Sequence, residues 1–402
     1  MNWRMIFMAA VAGLLAAGVD SAVAASELTI ISFGRSEQKA LIKAYYAPFR
    51  QATGIPVKSF SYDGETTELE EMAKTKNTIW DVIQVESGLL QRGCESGLFE
   101  KLDYARIGSK NDFIPGAVSD CGVGLFAWSM ALTYDSERVK GKPGSWADFW
   151  DVARFPGQRG LRRTAKYTLE IALLADGVAP RDIYTVLATP EGVDRAFHKL
   201  DQIKDHVVWW EAAPQPAEFL RAGRMVMTSA YTLWIAREQK KNKNVKVSWD
   251  GSIYDVDSWA IPKGTPKIAE AYRFLAFASK PENQKALSEQ LAYGPTSKKT
   301  LSLFNPEMAS QLPSADANLR RALRVDVAFW LTHGGELEKR FDSWAPPICK
   351  QQAEDEEEYE EPAYCQDIHG KPQTRQPGSP ISHERSDEVH SGHHEHEHGA
   401  HP

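Results

Sequence analysis

Short apolar runs alternate with longer amphipathic segments along most of this chain. Leu28–Phe33 is apolar at nearly every position, which is typical of a strand covered on both faces. The next segment has a helical period, with Leu41, Ile42 and Tyr45 on its inner face. The following elements are predicted as a strand at 57–62, a charged helix at 65–76 and a strand at 80–85. This alternation predicts a mostly parallel sheet flanked by helices.

The middle of the chain repeats the pattern and predicts a second sheet. Ser145 and Asp148 have the spacing of a capping box, and Thr189 followed by Pro190 marks another helix start. Strands are predicted at 207–210, 225–229 and 245–249, and helices at 267–279, 282–291, 319–331 and 337–344. About 320 residues of such sequence exceed what one core usually organises. We therefore expect an α/β fold of two lobes, each with a mostly parallel sheet flanked by helices.

The two ends of the chain differ from this body. Arg4 precedes an apolar run that closes in Ala22-Val23-Ala24, so residues 1–24 are predicted to be a cleaved signal peptide and the mature protein to be periplasmic. Residue 25 has no lipobox cysteine near it, which favours free diffusion over a membrane tether. Residues 346–402 contain an acidic block and a final stretch rich in Gly, Pro, Ser and His, and we expect this tail to be disordered.

Composition narrows the class of protein. The formal net charge of −7 is mild, so nothing favours a nucleic-acid or anionic-membrane partner. Four cysteines in an exported chain indicate disulfides rather than thiolate metal sites. The economical pairing joins Cys94 to Cys121 and Cys349 to Cys365.

Catalytic signatures are missing from the sequence. There is no nucleophile elbow, HExxH motif, P-loop or dinucleotide fingerprint, and no pair of body histidines has metal-ligand spacing. We therefore predict a protein that is not an enzyme and needs no cofactor.

One carboxylate pair stands out. Asp255 and Asp257 are two residues apart in an apolar, extended segment, so both side chains lie on one face of a strand, opposite Tyr254 and Val256. Two acids at this spacing beside aromatic residues can bind an ammonium group through charge-assisted hydrogen bonds. A solvated turn and an acid pair of the glycosidase type are the alternatives.

Two further groups of side chains carry possible binding chemistry. Twelve tryptophans supply faces suited either to a core or to a cage around cations, and Trp128 is among them. The tail histidines form a cluster that can collect metal ions weakly, unless the tail is only a solubilising extension. The candidate metal ligands are His390, His393, His394, His396 and His398.

Residues 27–344 resemble the periplasmic polyamine-binding family of ABC importers, which contains spermidine- and putrescine-binding proteins. The marks of this resemblance, in chain order, are residues 28–34, 52–55, 80–83, 97–103, 145–150, 257–262 and 292–296. The resemblance implies two lobes joined by crossing segments near Leu132 and Trp259, which close over a ligand by hinge motion. It also implies delivery to a membrane permease. We expect a monomer with lobe 1 at 25–132 plus 260–300 and lobe 2 at 133–259 plus 301–345.

Carried over position by position, the resemblance assigns ligand contacts in the crevice between the lobes. The first-strand aromatic falls on Phe33, the loop after the third strand on Glu86 and Ser87, and the late aromatic on Tyr293. The complete candidate set is Phe33, Glu86, Ser87, Trp128, Tyr167, Tyr231, Asp255, Asp257 and Tyr293.

The second lobe departs from the family pattern. Where polyamine binders place acids, this chain has Arg162, Arg163 and Lys166, and Tyr231 stands beside the position of an expected tryptophan. A basic cluster repels a second ammonium group. This cluster weakens the case for a long polyamine and admits a zwitterionic, amino-acid-like solute as the alternative. The leading hypothesis, implied by the resemblance, is a receptor for a polyamine-like amine. A secreted metal-binding protein and a hydrolase using Asp255 and Asp257 are the other hypotheses.

Overall fold

The computed structural model describes residues 27–345 and two short strands, 365–366 and 372–373. The predicted signal peptide lies outside these residues. In the described part of the chain, no helix combines the length and the apolar character needed to cross a membrane.

Nine strands of the body form one mixed sheet in the order β2-β1-β3-β8-β4-β7-β5-β6, with β9 paired to β8. Strands β1, β2 and β3 are parallel to one another, as are β5, β6 and β7, whereas β8 is antiparallel to β3 and β4, and β4 to β7. The strands are β1 Leu28–Phe33, β2 Val57–Tyr62, β3 Val82–Val85, β4 Gly122–Asp135, β5 Arg159–Arg162, β6 Val207–Trp210, β7 Met227–Tyr231, β8 Val245–Ala260 and β9 Leu323–Arg324.

Helices cover the sheet on both sides. They are α1 Arg35–Leu41, α2 Ala47–Thr53, α3 Thr67–Thr75, α4 Ser87–Glu95, α5 Trp146–Trp150, α6 Ala165–Ala175, α7 Ile183–Leu187, α8 Pro190–Asp201, α9 Gln215–Arg221, α10 Thr232–Gln239, α11 Ile268–Ala278, α12 Pro281–Leu291, α13 Pro306–Ser310, α14 Asp316–Leu319 and α15 Val327–Trp344. A separate unit beyond residue 344 contains β10 Cys365–Gln366, which pairs antiparallel with β11 Pro372–Gln373.

The two long strands β4 and β8 join the two lobes. The two strands pair with each other along most of their length. The C-terminal part of β4 also pairs with β7, and the C-terminal part of β8 also pairs with β3. The register of the β4–β8 pair is irregular at one point: Met130 is opposite Ile253, but Leu132 is opposite Ser248. A bulge of this kind bends and twists a strand pair, so it suits a change of direction between lobes. Separate apolar cores lie on the two sides, one around β1 and α11 and another around α9 and β7.

This topology confirms the predicted two-lobed α/β fold, although the lobes share one continuous sheet. The predicted strand 245–249 is only the start of β8, which runs on to Ala260. The predicted helix 319–331 is wrong because β9 occupies Leu323–Arg324 and α15 begins at Val327. The lobe boundaries themselves stay a prediction.

Side-chain placement differs from the helical pattern at one point. Residues 42–46 form a π-helical turn, in which Tyr45 and Tyr46 are buried while Ile42 is exposed. The wider turn shifts the face of the helix, so the prediction that Ile42 points inward is wrong. The capping box at Ser145 and Asp148 is present at the start of α5.

A disulfide joins Cys94 at the end of α4 to Cys121, the residue before β4, with Cα atoms 5.7 Å apart. This is the pairing that the sequence predicts. Cys349 lies outside the described residues, so its pairing stays a prediction.

Candidate functional site

The acid pair lies in the part of β8 that is paired with β4. Asp255 is opposite Trp128 and Asp257 is opposite Phe126. Their exposed fractions are 8% and 5%, respectively. The alternative of a solvated turn is therefore wrong for both acids, because they belong to a central strand covered on both faces.

Neutral donors hold both carboxylates in place. The indole of Trp128 donates to Oδ1 of Asp257 at 3.1 Å, and the amide of Gln84 donates to Oδ2 at 2.9 Å. The hydroxyl of Ser87 donates to Asp255, whose other oxygen accepts from the backbone N–H of Val256 at 2.8 Å. These bonds fix the orientation of the acids without supplying a positive charge.

A third carboxylate, Glu37 on α1, is half-buried and lies near this pair. The hydroxyl of Tyr293 donates to Glu37 Oε2 at 3.2 Å, and the Tyr293 ring stacks on Phe126 at a centroid distance of 3.8 Å. The other oxygen of Glu37 is buried without a hydrogen-bond partner. Tyr293 thus connects the loop after α12 to the acidic side of the site.

Burial and mutual repulsion make these acids unusual. Burial raises the pKa of Glu37 from 4.5 to about 7, although Gln84 and Tyr293 partly offset the rise. Burial, followed by the negative charges of Glu86 and Glu37, raises the pKa of Asp257 well above its ordinary value. Burial also raises the pKa of Asp255, and the positive charge of Lys166 opposes that shift.

No ion pair among the described side chains neutralises Glu37, Asp255 or Asp257, whereas Glu86 beside them is exposed to solvent. Buried carboxylates are normally paired, bound to a metal or protonated, because leaving the charge unpaired in a poorly hydrated site is costly. The described residues include no cluster of metal-ligating side chains. These acids therefore lack a protein counterion among the described residues.

Aromatic side chains form the next layer. Trp128 meets the rings of Tyr231 and Tyr167 edge-on, at centroid distances of 5.5 and 5.9 Å. Phe33 lies at the end of β1 and stacks on Tyr62 at 4.8 Å. These faces can surround the carbon chain of a small ligand.

The side contributed by β5 and α6 is basic. Arg162 donates to the hydroxyl of Tyr231 at 2.5 Å, and its guanidinium lies 5.7 Å from the ring centre of Tyr167. The Nε atom of Arg162 is buried without a hydrogen-bond partner. The ammonium of Lys166 lies 5.2 Å from the Tyr167 ring. In contrast, Arg163 is paired with Asp342 at 3.0 Å, so the basic cluster predicted from the sequence divides between the site and α15.

A cavity of about 500 Å³ brings most of these elements together. Six candidates line it, namely Phe33, Glu86, Ser87, Trp128, Tyr167 and Asp255, and Lys166 lines it too. Asp257 and Tyr231 are outside this lining but contact Trp128, which belongs to it. Tyr293 is also outside the lining, and its described contacts are with Glu37 and Phe126. Eight of the nine candidates therefore line this cavity or contact a residue that lines it, and Tyr293 does not. The candidate tail histidines are outside the described residues, so that metal site stays a prediction.

Glu37 and Gln84 belong to this arrangement but carry no signal that marks them in the sequence. Glu37 sits on a short helix among other polar residues, and Gln84 interrupts the otherwise apolar β3. In the structure Gln84 is fully buried, and a buried amide needs hydrogen-bond partners, which Gln84 finds in Asp257 and Phe33.

The two lobes around a central crevice define a solute-binding protein. A family model for bacterial extracellular solute-binding proteins matches residues 44–314, and the chain belongs to this family. Its membership confirms the expectation of a binding protein rather than an enzyme.

Relatives of this chain bind different amines. The chain is 51% identical to the gamma-aminobutyric acid-binding protein of Pseudomonas aeruginosa, over 79% of this chain and 90% of the relative. It is 21% identical to the spermidine/putrescine-binding periplasmic protein of Escherichia coli K12, over 77% and 88% of the two chains. The solved structure of the Atu4243 GABA receptor superposes with a TM-score of 0.70 at 30% identity, covering 81% of this chain and 99% of that one. The resemblance to polyamine binders is therefore real but more distant.

Proposed function

We propose that this protein is the periplasmic receptor of an ABC importer for a small zwitterion of the γ-aminobutyric acid (GABA) type. The observation that carries the proposal is a group of acids and a group of cations at the same site, neither of which forms an ion pair within the described residues. Asp255, Asp257 and Glu37 stand on one side, and Arg162 and Lys166 on the other.

The acidic side receives the ammonium group. Asp255 and Asp257 each use their oxygens for bonds from neutral groups and retain capacity to accept from a ligand, because an ionised carboxylate has about four acceptor sites. An ammonium placed here pairs with desolvated charges, and the Trp128 indole that orients Asp257 offers its ring to the adjacent methylene groups.

The basic side receives the carboxylate. Arg162 has a buried N–H without a partner, and a guanidinium binds a carboxylate in a bidentate manner. The hydroxyl of Tyr231 is already aligned on Arg162, and Lys166 lines the cavity. A diamine such as putrescine places its second ammonium group against these two cations, which costs binding free energy.

The wider role follows from the family. The predicted signal peptide leads to the periplasm, and closure of the two lobes over the ligand creates the surface that a permease recognises. The relative that is 51% identical is named for binding GABA, which supports the same ligand class here.

Thermal unfolding with a matched set of ligands tests this proposal. Purified protein is heated with GABA, putrescine, spermidine and butyrate, which differ in having both charges, only cations or only an anion. A ligand at about 100 times its Kd stabilises the folded state by about 2.7 kcal/mol. We expect GABA to raise Tm and butyrate to leave it unchanged. A larger rise with putrescine than with GABA would refute a zwitterion receptor.

A further inference from the structure

Tyr167 has an unusual backbone conformation. Its φ of 76° and ψ of −39° lie inside α6, and the preceding Lys166 is also non-helical. Positive φ is strained for a bulky side chain, and this combination is near the rare classic γ-turn. The same residue lines the cavity and places its ring against Trp128 and Tyr231. Backbone strain at a lining residue persists only where surrounding contacts hold it.

Glu170 supplies one of those contacts. Its Oε2 accepts from the backbone N–H of Tyr167 at 2.7 Å. Its Oε1 accepts from the Tyr184 hydroxyl at 3.1 Å and from the Trp330 indole at 2.7 Å. The side chain is completely buried and has no contact with solvent. Its orientation is fixed by three hydrogen-bond donors, which lie on α6, α7 and α15.

Glu338 on α15 secures the two preceding residues. It accepts from the backbone N–H of Ala165 at 2.8 Å and of Lys166 at 3.1 Å. The amides of residues 165–167 are therefore all bonded to protein carboxylates. They are not free for a ligand carboxylate, which leaves side chains to bind that group.

We propose that Glu170 is a positioning residue that holds Tyr167 in its strained conformation and so sets the shape of the ligand crevice without touching the ligand. This inference rests on the proposed function for its binding readout. Without an acceptor for its N–H, the Tyr167 backbone relaxes toward negative φ. The Tyr167 ring then leaves its place between Trp128 and Tyr231.

The substitution Glu170→Gln removes the charge with little change in volume. A glutamine side chain offers one acceptor oxygen and one amide donor, so it cannot satisfy donors at both ends of the former carboxylate. We expect E170Q to lower GABA affinity about tenfold in isothermal titration.

A double-mutant cycle separates positioning from a merely structural role. Tyr167→Gly removes the ring and accepts positive φ without strain. We expect Y167G alone to weaken binding, and E170Q to cause less than a threefold further loss in the Y167G background. A further tenfold loss in that background would show that Glu170 acts elsewhere and would overturn the proposal.

A crystal structure of unliganded Glu170→Leu, whose side chain has no acceptor for the Tyr167 N–H, provides a test that needs no ligand. We expect Tyr167 to have negative φ in this variant; retention of φ near 76° overturns the inference. Failure of the wild-type chain to bind GABA would instead contradict the proposed function, and the crystallographic result would still decide the role of Glu170.

A gentler variant covers the case in which E170Q does not fold. Tyr184→Phe removes one donor to Glu170 and leaves Tyr167 intact. We expect about a threefold loss of GABA affinity in the wild-type background and none in Y167G. Equal losses in the two backgrounds contradict the proposal.

Discussion

Replacing Asp257 with asparagine tests the acidic side of the site. The change keeps the shape of the side chain but removes the charge proposed to pair with the ligand ammonium. In the folded protein Asp257 accepts from both Trp128 and Gln84. The orientation of the Gln84 amide is fixed, because its Oε1 accepts from the Phe33 N–H at 3.2 Å.

The expected loss is much larger for binding than for stability. Removing one member of a buried, hydrogen-bonded charge pair costs about 2–5 kcal/mol of binding free energy, which is roughly a 30-fold to several-thousand-fold loss of affinity. The unliganded protein also leaves one buried donor unpaired, at a cost of about 1–3 kcal/mol. Losing a carboxylate that burial disfavours, shown by its raised pKa, offsets part of this cost.

Isothermal titration with GABA, together with urea unfolding, separates the two effects. Asp205→Asn is the matched control, since Asp205 is exposed and outside the cavity lining. We expect the control to bind like wild type. A D257N protein that folds normally and binds GABA within threefold of wild type would refute the role assigned to this carboxylate.

Three further predictions follow from the same arrangement. Arg162→Gln should weaken GABA binding by at least tenfold, because the proposed contact with the ligand carboxylate is lost. Putrescine binding should stay equal or become stronger, because the same change removes a cation that repels the diamine. A parallel loss of affinity for both ligands would contradict this. Burial raises the pKa of Glu37 in the folded protein from 4.5 to about 7, so the folded state binds the Glu37 proton more tightly than the unfolded state does. The free energy of unfolding should therefore fall by up to about 3 kcal/mol as pH rises from about 4.5 to 7. Urea unfolding at several pH values should show a smaller fall for Glu37→Gln, and an unchanged slope would exclude this group as a cause. Removing residues 346–402 should abolish any Zn²⁺ binding but leave GABA affinity unchanged, as measured by titration with each; Zn²⁺ binding that survives the truncation would argue against the histidine tail as the metal site.

The sequence predicted those parts of the fold that follow from local patterns. Leu28–Phe33 and Val57–Tyr62 form strands with the predicted bounds, because a buried strand requires a continuous or alternating apolar run. The period of two likewise placed Asp255 and Asp257 on one face of a strand.

Local sequence patterns do not predict features that depend on tertiary pairing. Nothing local indicates that β8 continues through Gly251, whose positive φ lies within the irregular pairing with β4. Glu37 was missed because its importance comes from burial near Asp257 rather than from its neighbours in the chain. The conformation of Tyr167 depends on Glu170, Tyr184 and Trp330, which meet only after folding.

A crystal structure of this protein with GABA tests the division of the crevice most directly. We predict that the ligand amine lies within hydrogen-bonding distance of Asp255 or Asp257 and that its carboxylate faces Arg162 and Lys166. A ligand bound in the opposite direction, or a ligand bound outside the cavity that Trp128 lines, would contradict this prediction.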